Sequence, residues 1–246
     1  MNSANDTACG SLGGRSCRCY IPSIVFKAAM AVSGLAMVGF LVGHLIGNLK
    51  VFQGFDPITG THKLDTYAAF LRQMGAPAFS EGELLWIARI ALLVAVFVHI
   101  VAAIALTNRS NAARPIGYTQ LKSDASTYAS RTMRWGGIII LCYIVYHLLH
   151  FTFGTLHLHG FVHGRVYANL YYGFKVWYVV VIYLISMAAI AAHLYHGFWS
   201  AFQTLGISHA RTLTQLKCVA KLLSIALFLG YSAIPLAVWF DFLPHP

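Results

Sequence analysis

Histidine recurs inside the long apolar stretches of this 246-residue chain: His44 in the first, His99 in the second, His147 and His150 in the third, His193 and His196 in the fourth, and none in the fifth. An imidazole in hydrocarbon is costly and needs a partner or a task. A hydrogen bond explains any one of them taken alone. One at ligand-like depth in each of four successive stretches is explained together by a shared role, because two imidazoles at one level of a helix bundle can grip a haem iron from both faces. Such an iron has no open coordination position, so its work is electron transfer.

The elements that must position these rings are membrane helices. Apolar residue types make up 58% of the chain and charged types only 10%, a composition that excludes an ordinary soluble enzyme. The apolar runs cover about residues 24–47, 84–106, 136–156, 176–198 and 218–240, each near the 20 residues that cross a bilayer. The expected architecture is all-α: five transmembrane helices, the first four forming a haem-binding four-helix bundle. A polar segment, 1–23, precedes a single membrane domain, 24–240, and a short tail, 241–246, follows it. No cleavable signal peptide is expected, since the start lacks a short apolar core.

The formal charge of +10 reflects orientation and not nucleic acid, for the basic residues flank apolar runs and form no stripe with interleaved aromatics. With the N-terminus inside, Arg15, Arg18, Lys27, Arg109, Arg114, Lys122, Arg131, Arg134, Arg211, Lys217 and Lys221 are inner, while Lys50, Lys63, Arg72, Arg165 and Lys175 are outer. The positive-inside rule favours this placement in the cytoplasmic membrane. The five cysteines form no disulfide framework, and Cys17 and Cys19 lack a second pair that would complete a metal site.

Depth along each helix pairs the rings. At 1.5 Å per residue, His44 lies about 30 Å from the inner end and His147 about 20 Å, both in the outer half. His99 and His193 start from the outer side and reach about 22 and 27 Å towards the cytoplasm. His44 should therefore pair with His147 near the outside, and His99 with His193 near the inside. His150 and His196, three residues on and on a similar face, are rival ligands or contacts to haem propionates or quinone. Arg89, inside the second span, is a further candidate for a propionate or a buried acid.

Several segments resemble the dihaem cytochrome b anchor subunit of succinate:menaquinone reductases and quinol:fumarate reductases, the single-anchor type with five helices. The segment His193-Leu-Tyr-His-Gly-Phe-Trp-Ser-Ala-Phe-Gln-Thr-Leu-Gly-Ile207 is similar to the family motif H-x-x-x-G-x-W-S-x-x-x-T-x-G-I, whose first histidine is an axial ligand. Arg134-Trp-Gly-Gly-Ile running on to Tyr146-His147, Val38-Gly-Phe-Leu-Val-Gly-His44-Leu, and Val98-His99 followed by Thr107-Asn-Arg-Ser-Asn resemble the other three ligand segments. The resemblance spans about residues 25 to 240 of the chain. It selects His147 over His150 and His193 over His196.

The resemblance implies two haem b groups, a distal one on His44 and His147 and a proximal one on His99 and His193. It implies menaquinone as substrate, with FAD and iron-sulfur clusters on a flavoprotein subunit and an iron-sulfur subunit at the cytoplasmic side. This chain then belongs to a succinate:quinone oxidoreductase, with the dicarboxylate chemistry on its partners, and a higher oligomer of the complex is compatible with it. Candidate quinone contacts are His62, Asp65, Tyr67 and Arg72 in the outer loop and Lys27, Ser33, Arg131 and Arg134 at the inner edge. Some fumarate-reducing relatives carry a proton-moving glutamate two residues before the fourth-helix ligand. Ala191 stands there, which favours succinate oxidation.

The alternatives are a quinol:fumarate reductase anchor, the cytochrome b anchor of another respiratory dehydrogenase such as a hydrogenase or formate dehydrogenase, and a haem-free transporter with histidine proton relays. The histidine-rich stretch 157–163 is read as a wetted loop, with metal binding as its alternative.

Overall fold

The structure, a computed structural model, describes residues 21–113, 128–207 and 209–246. Cys17, Cys19, Arg114, Lys122 and the Arg131 side chain lie outside the described residues. Five helices among those described are long and apolar enough to cross a membrane.

Helix α1 spans Ser23–Asn48 and runs into a 3₁₀ turn, Leu49–Gln53. It begins directly after Pro22, whose ring cannot donate to a preceding turn. Helix α3 covers Glu83–Ala112 after Gly82, a left-handed residue at φ 79°. Helix α4, Tyr128–His147, continues as a single π turn over Leu148–Thr152, in which Phe153 N–H donates to the Leu148 carbonyl at 2.9 Å. Helix α6 covers Trp177–Thr204 and α7 covers Ala210–Trp239. The end of α6 accounts for the last two positions, Gly206 and Ile207, of the H-x-x-x-G-x-W-S-x-x-x-T-x-G-I stretch. Gly206, at φ 100°, donates to Gln203 and Ile207 donates to Phe202, satisfying carbonyls that α6 would leave bare.

Helices α4 and α7 start at 128 and 210, eight residues before the apolar runs that announce them. Apolarity marks the hydrocarbon-facing part of a helix, whereas main-chain hydrogen bonding runs on into polar sequence such as 210–217. The third run was expected to reach residue 156 but its winding ends at Thr152, shortly before Gly154 at φ 73°.

Two short helices were not anticipated: α2, Lys63–Gln73, and α5, Val166–Phe174. Together with the 3₁₀ turn and the C-terminal tail they form a cap over one end of the long helices. Its core joins Val51, Leu64, Tyr167, Tyr171, Phe174 and Leu243 to Val179, Tyr183, Ile234 and Val238 of α6 and α7. The Asp65 carboxylate on α2 accepts the Tyr167 N–H at 2.9 Å, filling the first turn of α5 from another helix. The Tyr167 hydroxyl donates to the Pro244 carbonyl, and Lys175 pairs with Asp241, which fastens the tail. Lys63 also pairs with Asp56, whose carboxylate accepts the N–H groups of Ile58 and Thr59 and is held far below its ordinary pKa, chiefly by the Lys63 ammonium.

The long helices pack as an open chain: α3 against α1, α1 against α6, and α6 against α4. Helix α7 packs on α6, the most extensive contact in the fold, and also on α1, so the fifth span belongs to the packed body. Among the described residues, neither α1 with α4 nor α3 with α6 is a helix pair in substantial contact, and neither is α3 with α4.

Close approach of the cap to α1 depends on Gly47, where a Cβ would lie 2.7 Å from Tyr67 Cε1. Gly47→Ala is expected to destabilise the purified protein by about 1–3 kcal/mol through overpacking. Thermal melting in detergent checks this, and Tyr67→Ala in the same chain should remove most of the penalty.

Candidate functional site

Two pairs of histidine rings meet across the helices that do not pack. His44 on α1 and His147 at the end of α4 have ring centres 6.1 Å apart, with planes at 86°. His99 on α3 and His193 on α6 are 6.3 Å apart, with planes at 59°. Each pair bridges helices opposite one another, so the side chains reach into a gap that the backbones leave.

The levels of the two pairs follow from helix rise. A Cβ on Gly34 of α1 would lie 3.3 Å from His99 Cε1, so the lower pair is level with Gly34. His44 lies ten residues further along α1, about 15 Å at 1.5 Å per residue. The offset repeats on α4, where Gly137, facing His193 Cε1 at 3.9 Å, is ten residues from His147, and on α6, where Tyr183 beside His147 is ten residues from His193. The His44 pair is next to the cap and the His99 pair is nearer the uncapped end.

Hydrogen bonds settle the ring nitrogen that faces away from the gap in His99. Its Nδ1–H donates to the Met30 carbonyl at 3.1 Å, with Ser33 Oγ at 3.4 Å. Ser33 in turn donates to the Ala29 carbonyl at 2.6 Å. Nε2 is thereby left with its lone pair, the form in which imidazole binds metal. His147 Nδ1 stands 3.3 Å from the Tyr183 hydroxyl. His193 lies against the Met133 main chain, and its buried Nδ1 has no side-chain hydrogen-bond partner among the described residues. His44 stacks on Phe40 at 5.1 Å and lies 6.1 Å from the Tyr231 ring, whose hydroxyl donates to the Leu41 carbonyl.

The residues fit a metal held between two imidazoles. With a metal–nitrogen bond of about 2 Å and about 1.2 Å from nitrogen to ring centre, two opposed ligand rings stand about 6 Å apart. Both pairs have that spacing. No group of three or more His, Cys, Asp or Glu side chains is arranged for a metal ion among the described residues. Gly39, Gly43 and Gly136 have nothing within 4 Å of a built Cβ, leaving open space along α1 and α4.

The rival histidines are elsewhere. His150 is 1% exposed and enclosed by Tyr146, Phe151 and His157, with Nδ1 at 3.1 Å from the Tyr183 hydroxyl. His196 meets the Trp199 ring edge-on at 5.0 Å, and its Nδ1 is buried without a partner. The Arg89 guanidinium lies over the Trp86 ring at 5.0 Å.

The candidate quinone contacts separate into two places. His62 and Asp65 line a cavity of about 310 Å³ in the cap with Arg165, Tyr167 and Pro246. Tyr67 and Arg72 are outside its lining: Tyr67 lies on Gly47 beneath the Lys50 ammonium, and Arg72 ends α2. At the uncapped end, Lys27 lines a cavity of about 470 Å³ with Ser23, Met30, Leu106, Arg109, Ser110 and Thr204. Ser33 is engaged with His99, and Arg134 is exposed.

Sequence reasoning passed over Tyr183, Tyr231, Arg109 and Asn169. Arg109 donates to Ser23 Oγ at 2.9 Å and the Ile21 carbonyl at 2.7 Å, clamping the start of α1. Asn169 bonds both the N–H and the carbonyl of Val162 and orders the histidine-rich loop, in which His157 Nε2 donates to the Asn169 carbonyl at 2.8 Å. A tyrosine within about two turns of a span's start looks like any interfacial aromatic. Only the fold brings Tyr183 to two histidines.

In the cap, the His62 ring stacks on Tyr167 at 3.5 Å and 5° and accepts the Leu64 N–H at 3.1 Å, capping α2. Burial lowers its pKa, opposed by Asp65 and the Val51 main chain. Because the folded value is depressed, the cap's stability is full above the ordinary histidine range and declines as pH falls through the lowered value. Hydrogen-exchange protection factors, taken against the intrinsic rate at each pH, should fall at residues 54–73 and 166–174 as pH drops from about 7 to about 5, and His62→Asn, which keeps a capping acceptor, should remove that pH dependence. Comparison with protein-family models, curated proteins and solved structures finds no match to the chain.

Proposed function

We propose that the chain is the membrane anchor subunit of a succinate:quinone oxidoreductase, carrying electrons between an iron-sulfur partner and menaquinone through two bis-histidine b haems. The observation that carries this is the meeting of His44 with His147 and of His99 with His193 across non-packing helices at two levels. A haem-free relay has no use for ring pairs spaced for a shared metal. The family motifs around the same four residues point the same way, and Ala191 favours succinate oxidation over fumarate reduction.

Haem b supplies a one-electron carrier whose potential is set by its ligands, burial and neighbouring hydrogen bonds. Met30 and Ser33 hold His99 in the ligand tautomer. Gly34 and Gly137 let the His99 and His193 rings approach α1 and α4. With the positive-inside orientation, the uncapped end faces the cytoplasm and the iron-sulfur and flavin partners. Lys27 and Arg109 in the 470 Å³ cavity then offer cations to a propionate or quinone beside the His99 pair. The cap faces outward beside the His44 pair, where its His62 and Asp65 cavity could hydrogen-bond a quinone carbonyl.

A pyridine haemochrome assay on purified protein tests the reading. Two b haems per chain are expected, and His44→Ala, His99→Ala, His147→Ala and His193→Ala should each lose about one of them, while His196→Ala keeps both. Absence of b haem, or full retention in all four ligand variants, contradicts it. Copurification with a flavoprotein separates the succinate and fumarate family from other cytochrome b anchors.

A further inference from the structure

The Tyr183 hydroxyl is within hydrogen-bond reach of two histidines on the neighbouring helix, His147 Nδ1 at 3.3 Å and His150 Nδ1 at 3.1 Å. The π turn after His147 contains His150 and accompanies this convergence. We propose that Tyr183 is the positioning residue for the ligand His147, with His150 serving to orient the Tyr183 hydroxyl. This rests on the haem-anchor reading above and adds to it a one-way hydrogen-bond chain that distinguishes one haem from the other.

The direction follows from donor arithmetic. When His147 binds metal through Nε2, its Nδ1 carries the hydrogen and donates to Tyr183 Oη. The hydroxyl has one hydrogen of its own, which goes to the second nitrogen within reach, His150 Nδ1, an acceptor in the neutral ring. The His150 ring is held in place beside that hydroxyl by its packing. It is packed between Tyr146 and Phe151, faces the His157 ring at 5.3 Å, and abuts α5 so closely that a Cβ on Gly173 would come within 3.1 Å of its Cε1 and Nε2. Tyr183 itself is 5% exposed and wedged by Tyr143 and Phe174. These contacts hold the oxygen where it is needed and run from the membrane helices into the cap.

The His99 pair is built differently. There a main-chain carbonyl and Ser33 receive the Nδ1 hydrogen of His99, and His193 lies against the Met133 main chain with no side-chain acceptor for its Nδ1 among the described residues. An acceptor on Nδ1 makes an imidazole a stronger donor to its metal and favours the oxidised iron. Removing the Tyr183 acceptor should therefore raise the midpoint potential of one haem and leave the other in place.

Redox titration of the intact, haem-loaded protein, followed by absorbance and by electron paramagnetic resonance, reads this. Tyr183→Phe should keep both haems and shift the oxidised-to-reduced ratio of one of them by about tenfold, or about 59 mV for one electron, towards reduction. His150→Leu should move the same haem in the same direction, and His150→Asn, which keeps an acceptor near the Nδ1 position, should restore the wild-type value. If Tyr183→Phe does not accumulate, the His150→Leu and His150→Asn pair carries the test. Unchanged potentials in haem-loaded variants, or equal shifts of both haems, overturn the positioning role while leaving the anchor reading intact. A wild-type protein without haem overturns both.

Discussion

An imidazole buried in a membrane span must find partners for two nitrogens, and most of this fold can be understood from how the four central rings do so. Hydrocarbon offers nothing to bond, and a polar atom left bare there costs on the order of a few kcal/mol. His99 places one nitrogen on α1 through Met30 and Ser33, and His147 places one against Tyr183 of α6. The second nitrogen of each ring is then available to the gap between opposite helices. A shared metal, as proposed above, would complete that set without bringing the helices together.

That demand sets the packing. Helices α1 and α4, and α3 and α6, stay apart, so the fold must be held from elsewhere. Helix α7 supplies much of the compensation by packing along α6 and α1, with Leu45, Leu194 and Leu227 forming a small core where the three meet. The cap supplies the rest, tying α2, α5 and the C-terminal tail to α6 and α7 through one apolar cluster. Polar ties such as Asp65 to the Tyr167 N–H and Tyr167 to Pro244 set its register. The sparse burial of α3 and α4 is the counterpart: each packs mainly on one neighbour, α3 on α1 and α4 on α6.

Much of this was legible in the chain. Long apolar runs announce the five spans, because the length of apolar sequence needed to cross hydrocarbon is fixed by physics. Counting rise per residue pairs His44 with His147 and His99 with His193, since depth on a straight helix is linear in sequence. Choosing between His147 and His150 from the residues alone was out of reach. The two share a helical face, and what separates them is a π turn and an enclosing pocket of aromatics. The cap was equally hidden. Helix α2 is short and weakly apolar, and α5 looks like a continuation of the loop until Asp65, 102 residues before Tyr167, closes its first turn. Tyr183 and Asn169 act through partners brought by folding.

The central claim is that the same four histidines hold two irons, each from both sides. Electron paramagnetic resonance of the oxidised, purified protein tests it most directly, because ligand number and type fix the spin state of ferric haem. Two distinct low-spin signals are expected, one lost on replacing His44 or His147 and the other on replacing His99 or His193. A high-spin signal from an iron with an open position, a single haem species, or no haem signal at all would contradict the account.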